Sequence, residues 1–377
     1  MPNYELLIVG AGLSGATIAR LAAEDGASVL VIDKRDHIAG NVYDEIDPTT
    51  GIRISKYGAH LFHTNDEEVW NFVNRFGKWA HWAHKVVAEC DNKLVPVPVN
   101  ITTVNTLLNT NIGNEAEMRE WLKHETMSCK VDEPQNSEEV ALNRVGERLY
   151  NRLFKDYTVK QWAKEPKDLE PSVLERIPVR HNYDERYFSD RFQGLPVDGY
   201  TNIVKNMLDH PNISVQLNCD WDSVCAMGFW NSLVFTGPID SFFPGLPPLE
   251  YRSIKFTWSR FKNSGFYQQN SVVNYPSADT PYTRTVEYKH FLNQKSDWTI
   301  ISKEITTDSG EPYYPVPTKA NRDIYAKYSE LAAQAKGVHF VGRLASYKYF
   351  NMDQAIRNAF DYYKSHIRKP YIITNYV

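Results

Sequence analysis

The sequence predicts an α/β fold: a Rossmann-like parallel sheet for a dinucleotide, interrupted by an inserted helical bundle and by a separate antiparallel sheet. Three patterns carry that expectation. Residues 4–10 form a short apolar run ending in Gly10, residues 14–25 have a helical pattern, and Ser28–Asp33 reads as a second buried strand, together a βαβ opening. Residues 102–165 keep a helical period with few β-branched runs. Residues 250–305 alternate in period two, as in Ile254-Lys255-Phe256-Thr257-Trp258-Ser259-Arg260.

Taken in order, residues 66–76 predict a helix, followed by helices over Thr103–Leu108, Glu115–His124, Ser137–Tyr150 and Arg152–Lys164. From about 175 to 200, Pro178, Gly194, Pro196 and Gly199 break any period, and an irregular stretch is expected. Residues 201–209 read as helix, and 213–217 and 232–236 as strands returning to the first sheet. Val338–Gly342 is one more short strand, followed by a helix from Asp353 to His366.

Gly10-Ala11-Gly12-Leu13-Ser14-Gly15 fits G-x-G-x-x-G between a strand and a helix. The first glycine permits a tight turn and the second lets the backbone approach a pyrophosphate. The third lets the helix pack closely on the strand, with phosphate at the helix N-terminus. Asp33 ends the second strand, where a carboxylate can accept hydrogen bonds from a ribose diol. Thr236-Gly237-Pro238 and Gly342-Arg343 each follow a later strand, so the chain returns repeatedly to one long cofactor, which favours FAD over NAD.

Composition narrows the classes. Hydrophobic residues make up 42% and charged residues 23%, and the net charge is −4 with Lys and Arg scattered, which speaks against a nucleic-acid or anionic-membrane surface. The aromatic share of 13% suits a cleft that stacks planar ligands. Cys90, Cys129, Cys219 and Cys225 have no metal-ligand spacing and read as reduced thiols. The opening residues hold no basic region or cleavage site, and no apolar run is long enough to span a bilayer, so a cytoplasmic location is expected. His60 and His63 form an H-x-x-H pair, but no further ligand cluster accompanies them and no metal is expected.

Several segments resemble one family. Tyr57-Gly58-Ala59-His60-Leu61-Phe62-His63-Thr64, Tyr157-Thr158-Val159-Lys160-Gln161-Trp162 and Arg176-Ile177-Pro178-Val179-Arg180 are similar to stretches of bacterial UDP-galactopyranose mutases. So are Pro281-Tyr282-Thr283-Arg284, Glu311-Pro312-Tyr313-Tyr314-Pro315 and Gly342-Arg343-Leu344 with Tyr347-Lys348-Tyr349. They keep the family's order from about residue 5 to 365. The resemblance implies three interleaved parts: residues 1–75, 200–245 and 320–377 as a discontinuous FAD domain, 100–175 as a helical bundle, and 76–99, 176–199 and 246–319 as a twisted antiparallel sheet bordering the substrate cleft. It implies a flavin-dependent isomerase that interconverts UDP-galactopyranose and UDP-galactofuranose without net redox change. Only reduced FAD supports the reaction, through a sugar adduct at flavin N5 that opens as an iminium ion, and the product feeds surface polysaccharide.

By the same resemblance, Arg176 and Arg284 hold the departing diphosphate and His63 lies near the flavin. Arg176 rides on a Pro-flanked mobile lid, spanning about 167–180. Tyr157, Trp162, Tyr187, Arg252, Asn274, Tyr314, Tyr349 and His84 border the nucleotide sugar, with Trp162 stacking on the base. The cofactor set is Gly10, Gly12, Ser14, Gly15, Asp33, Lys34, Gly40, Asn41, His60, Gly342, Arg343, Asn351 and Met352. Expected partners are a UDP- or dTDP-linked hexose and a cellular flavin reductant, without nucleic acid or membrane insertion. Family members are often homodimers, so the resemblance also allows a homodimer.

Two positions depart from the family. His84 stands where Asn is usual, and Asn351 where Asp is usual. Ala39-Gly40-Asn41 also replaces a Gly-Gly-Asn. These changes put the sugar in question, and a 6-deoxy sugar such as dTDP-fucopyranose is the alternative substrate. Two rival classes share the opening motif: an amine-oxidase-like flavin oxidoreductase, and a non-catalytic FAD-fold protein of the GDP-dissociation-inhibitor type.

Overall fold

The computed structural model describes residues 4–175, 178–262 and 265–368. Its first layer is a five-stranded sheet, in order Ile213–Gln216, Val29–Ile32, Tyr4–Val9, Trp230–Phe235 and Val338–Phe340. Every pairing in it is parallel. Side chains of the central strand alternate. Leu6 and Ile8 enter a core with helices Leu13–Glu24, Tyr200–Leu208 and Met352–Tyr362, while Leu7 enters a core on the opposite face with Leu30, Ile32 and Leu233. Burial on both faces explains why these strands read as continuous apolar runs. Each such side chain contributes about 1.5–3 kcal/mol on leaving water.

The second layer is a seven-stranded sheet, in order Tyr314–Pro315, Tyr251–Lys262, Trp298–Thr307, Arg284–Glu287, Val272–Asn274, Val86–Cys90 and Lys93–Val97. It is not wholly antiparallel as expected. Val272–Asn274 runs parallel to Val86–Ala88, because the chain reaches that edge from another part of the fold. A third element, Phe62–Thr64, Phe192–Pro196 and Trp79–His81, forms a small antiparallel sheet, and its middle strand lies inside the stretch expected to be irregular. Phe62, Leu195 and Trp79 pack into the first layer's core, so residues 79–81 and 192–196 belong with that layer by packing.

The helical insert follows the predicted order, with Ile101–Leu108, Glu115–Thr126, Ser137–Leu149 and Lys155–Trp162. Asn100, Asn114 and Asn136 cap the first three by accepting a backbone N–H. The third is not a single straight helix. Gly146 takes φ +75°, and a Cβ there would lie 2.5 Å from Glu125 Cγ, so the crossing of its neighbour kinks it. Residues 150–154 then form a π turn before the last helix begins at Lys155. A sixteen-residue helix, Lys319–Gln334, has no counterpart in the sequence reading, although Ile324, Tyr328 and Leu331 lie at helical spacing after the Thr318 cap.

Candidate active site

The glycine loop leaves the carboxyl end of the central strand. Gly10 has φ +109°, which a side chain would strain, and a Cβ on Gly15 would lie 2.0 Å from the Gly10 carbonyl oxygen. Helix Leu13–Glu24 begins without any side-chain cap, so its first N–H groups face the loop. Gly12 and Gly40 bring their backbones together, a Cβ on Gly40 meeting Gly12 Cα at 2.9 Å. Gly342 lies against the Ser14 side chain, where a Cβ would meet Ser14 Oγ at 2.9 Å. The strands ending at Val9, Ile32, Phe235 and Phe340 thus deliver Gly10, Asp33, Thr236 and Gly342 to one edge. Ligands of open parallel sheets bind there.

Asp33 is buried, and its carboxylate accepts from Ala11 N–H at 2.8 Å and Arg35 N–H at 3.0 Å. It therefore braces the loop from beneath, a role the sequence reading did not assign. Arg35 donates to Asn41 Oδ1 and lies over the Tyr57 ring. Lys34 points outward to pair with Glu311. Asn351 begins helix Met352–Tyr362, its N–H bonded to Gln354 Oε1, and Met352 is buried in the first layer's core. The donor-rich, cap-free cradle fits a dinucleotide pyrophosphate.

Beyond the cradle, tyrosines and arginines converge from the helical insert, the large sheet and the late loop. Arg284, in register with Asn274 on one side and Glu304 on the other, donates from Nε to Glu304 at 2.6 Å. Burial opposes its charge, but Glu304, Tyr314 and Tyr157 nearby outweigh this, so the guanidinium stays cationic. Burial, with Tyr187, Glu304 and Tyr314 adding to it, pushes the Tyr157 phenol up despite Arg284. Tyr314 stacks on Tyr349 at 5.4 Å, and burial raises its phenol as well. Arg343 lies over both rings and donates to the carbonyls of Phe350 and Tyr313. The phenols of Tyr157 and Tyr314 therefore remain protonated donors at neutral pH.

The histidines divide. Burial lowers His60 to about 4, with Arg343 and Arg284 contributing, and its Nδ1 is bonded to Gly58 O at 2.7 Å. His84 is buried among Tyr187, Phe188 and Phe291, and burial followed by Arg284 and His63 lowers it to about 3. Both rings are neutral. His63 instead bonds Asp190 at 2.9 Å and stacks on Phe188. The H-x-x-H pair turns to separate partners, and among the described residues no group of three or more His, Cys, Asp or Glu side chains is placed to hold a metal ion.

Some expected contacts look different in place. Trp162 is 3% exposed in the core of the helical insert, edge-on to Tyr314 and Tyr349, so a base can stack on it only if this wall opens. Arg252 is buried, donating to the Gln161 carbonyl and paired with Asp308. Arg176 lies outside the described residues. Glu304, Asp190 and Phe188 were not singled out by sequence. Each works through a partner distant in the chain, although Glu304 sits on the alternating strand Trp298–Thr307.

Fold and site together define a Rossmann-type dinucleotide protein with a second cluster of hydrogen-bond donors and cations beside its cofactor edge. A family model for UDP-galactopyranose mutase matches residues 152–349, and one for an NAD(P)-binding Rossmann-like domain matches residues 8–76. A Klebsiella pneumoniae protein described as a probable UDP-galactopyranose mutase is 40% identical over 95% of this chain and 94% of its own length. A dTDP-fucopyranose mutase of Escherichia coli is 38% identical over 95% of this chain and 97% of its own. A reduced UDP-galactopyranose mutase structure superposes with a TM-score of 0.74 at 16% identity, covering 95% of both chains. The chain belongs to the UDP-galactopyranose mutase family, and it is an enzyme of the isomerase class. Among the described residues no helix is long and apolar enough to cross a membrane.

Proposed function

We propose that the protein binds FAD and, with the flavin reduced, interconverts the pyranose and furanose forms of a hexose linked to a nucleoside diphosphate, UDP-galactose first among them. The observation that carries this reading is the meeting of Arg284, Tyr157, Tyr314, Tyr349 and Arg343 next to the cofactor edge. A diphosphate leaving an anomeric carbon takes on negative charge. A wall of cations and protonated phenols stabilises it most when that charge is greatest.

Reduced FAD, when bound, supplies the nucleophilic nitrogen for the anomeric carbon. Gly10, Gly12, Gly40 and the cap-free helix hold its pyrophosphate, and Asp33 keeps their loop in place. Arg284, oriented by Glu304, faces the sugar's phosphates, with Arg176 as the expected second charge. Tyr157, Tyr187, Tyr314 and Tyr349 donate from their hydroxyls. His60 and His84, being neutral, add no further cation beside these arginines. Keeping the diphosphate bound while the sugar ring opens lets it return to the same anomeric carbon.

A second reading, the same chemistry on a dTDP-linked 6-deoxy sugar, is favoured by the 38% identity to a dTDP-fucopyranose mutase together with His84 and Asn351. Purified protein is reduced with dithionite and incubated with UDP-galactofuranose and dTDP-fucofuranose, and the products are separated by HPLC. Conversion only after reduction is expected. Equal turnover by the oxidised protein, or none on either sugar, would reject the reading.

A further inference from the structure

Lys160 extends from helix Lys155–Trp162 into a cage of main-chain carbonyls. Its Nζ donates to Tyr275 O at 2.5 Å, Ser277 O at 2.7 Å, Thr280 O at 3.0 Å and Tyr282 O at 3.2 Å. All four belong to one loop, which joins strand Val272–Asn274 to strand Arg284–Glu287. An ammonium carries three protons, so the four acceptors share them around a single centre. Carbonyl dipoles turned toward one point repel each other unless a cation fills it, and the lysine therefore dictates the loop's shape. Its other end is tied to the sheet, because the Thr306 hydroxyl donates to the Lys160 carbonyl.

The loop begins and ends at the candidate site. Asn274 and Arg284 are direct cross-strand neighbours, and Tyr275 N–H donates to Thr283 O at 2.8 Å to close the loop's base. Glu304 restrains Arg284 from one side, and the caged loop adjoins it on the other. On the lysine's own helix, three residues earlier, stands Tyr157, close enough to Arg284 for the guanidinium to act on its phenol. One ammonium thus joins the helix carrying Tyr157 to the strands carrying Asn274 and Arg284.

We propose that Lys160 is a positioning residue for the reaction: by filling the carbonyl cage of the 275–282 loop it sets Arg284 and Asn274 against Tyr157. This inference rests on the mutase reading above. Reduced Lys160→Ala, Arg284→Ala and the double variant are assayed beside wild type on whichever nucleotide sugar wild type converts. Lys160→Ala is expected to keep its flavin and lose about tenfold or more in kcat/KM, whereas in the Arg284→Ala background the same change costs less than about threefold. Propylammonium, which replaces the missing tail, restores activity saturably, and tetramethylammonium at equal ionic strength does not. Amides of residues 275–283 lose hydrogen-exchange protection in Lys160→Ala and regain it with propylammonium.

Near-wild-type kinetics in Lys160→Ala would overturn the proposal. So would a loss that carries undiminished into Arg284→Ala without rescue, since that describes general destabilisation. If Lys160→Ala does not fold, Lys160→Gln takes its place in the same cycle. A wild type inactive on both sugars would reject the mutase reading and not the cage, and the exchange measurement then decides alone.

Discussion

Acid should destabilise this protein through His84. The ring is 3% exposed, receives Trp82 Nε1–H at 3.4 Å, and is held at about 3 against an ordinary 6.5. Its folded pKa is depressed, so the imidazole stays neutral in the native state while the unfolded chain takes up a proton below 6.5. The stabilisation is therefore complete above that pH and is lost progressively as pH falls toward 3. Between pH 7 and pH 5 the linkage amounts to about 2 kcal/mol at 1.36 kcal/mol per unit. With roughly 2.1 cal/mol/K of unfolding entropy per residue, that corresponds to a Tm shift of about 2–3 °C. His84→Asn removes this contribution and leaves every other titrating group in place. Melting both proteins at a series of pH values isolates it, because the constant cost of the substitution cancels in the slopes. Parallel curves for wild type and variant between pH 7 and 5 would show that the ring is not held neutral by burial.

Three further outcomes are expected. Arg284→Ala should lose about a hundredfold or more in kcat/KM, as when a donor to a developing charge is removed, with flavin content intact; near-normal kinetics would remove it from the site. Gly15→Ala sets a Cβ 2.0 Å from a backbone oxygen, and the purified protein should carry roughly a fifth or less of the wild-type flavin absorbance; full flavin would show that the helix can back away. His84→Asn combined with Asn351→Asp should shift the ratio of kcat/KM for UDP-galactofuranose over dTDP-fucofuranose toward the UDP sugar by about tenfold, the discrimination typical of a rearranged hydroxyl pocket; an unmoved ratio would confine specificity to other residues.

The parts legible in the sequence are those whose signal is local. Gly10 to Gly15 and Asp33 declare the cofactor edge because strand, turn and helix follow one another within a short stretch. The capped helices of the insert were visible for the same reason, but the kink at Gly146 was not, since it depends on where Glu125 passes. Residues 192–196 look irregular alone and become a strand only between Phe62–Thr64 and Trp79–His81, which are distant in the chain. In the site, Arg284 and the tyrosines were reached through family resemblance, whereas their supports were hidden. Glu304 is 20 residues from Arg284, Asp190 is 127 from His63, and the carbonyls around Lys160 are main-chain atoms that no side-chain pattern reveals. Trp162 is expected from the resemblance as a platform for the base, and only packing shows how little of it is exposed.

The order of strands in the parallel sheet has a consequence for biogenesis. Its centre is the first strand synthesised, while one of that strand's neighbours arrives after residue 229 and the edge strand after residue 337. At roughly 5–20 residues per second, the ribosome leaves the amino-terminal βαβ segment without its later partners for tens of seconds. During that interval Leu6, Ile8 and the inner face of Leu13–Glu24 lack Met352–Tyr362, the helix that later packs against them. Nascent chains of this enzyme should therefore depend on chaperones until residues 338–362 have been made, and a premature stop anywhere before residue 338 yields a product destined for proteolysis rather than a partly working cofactor domain.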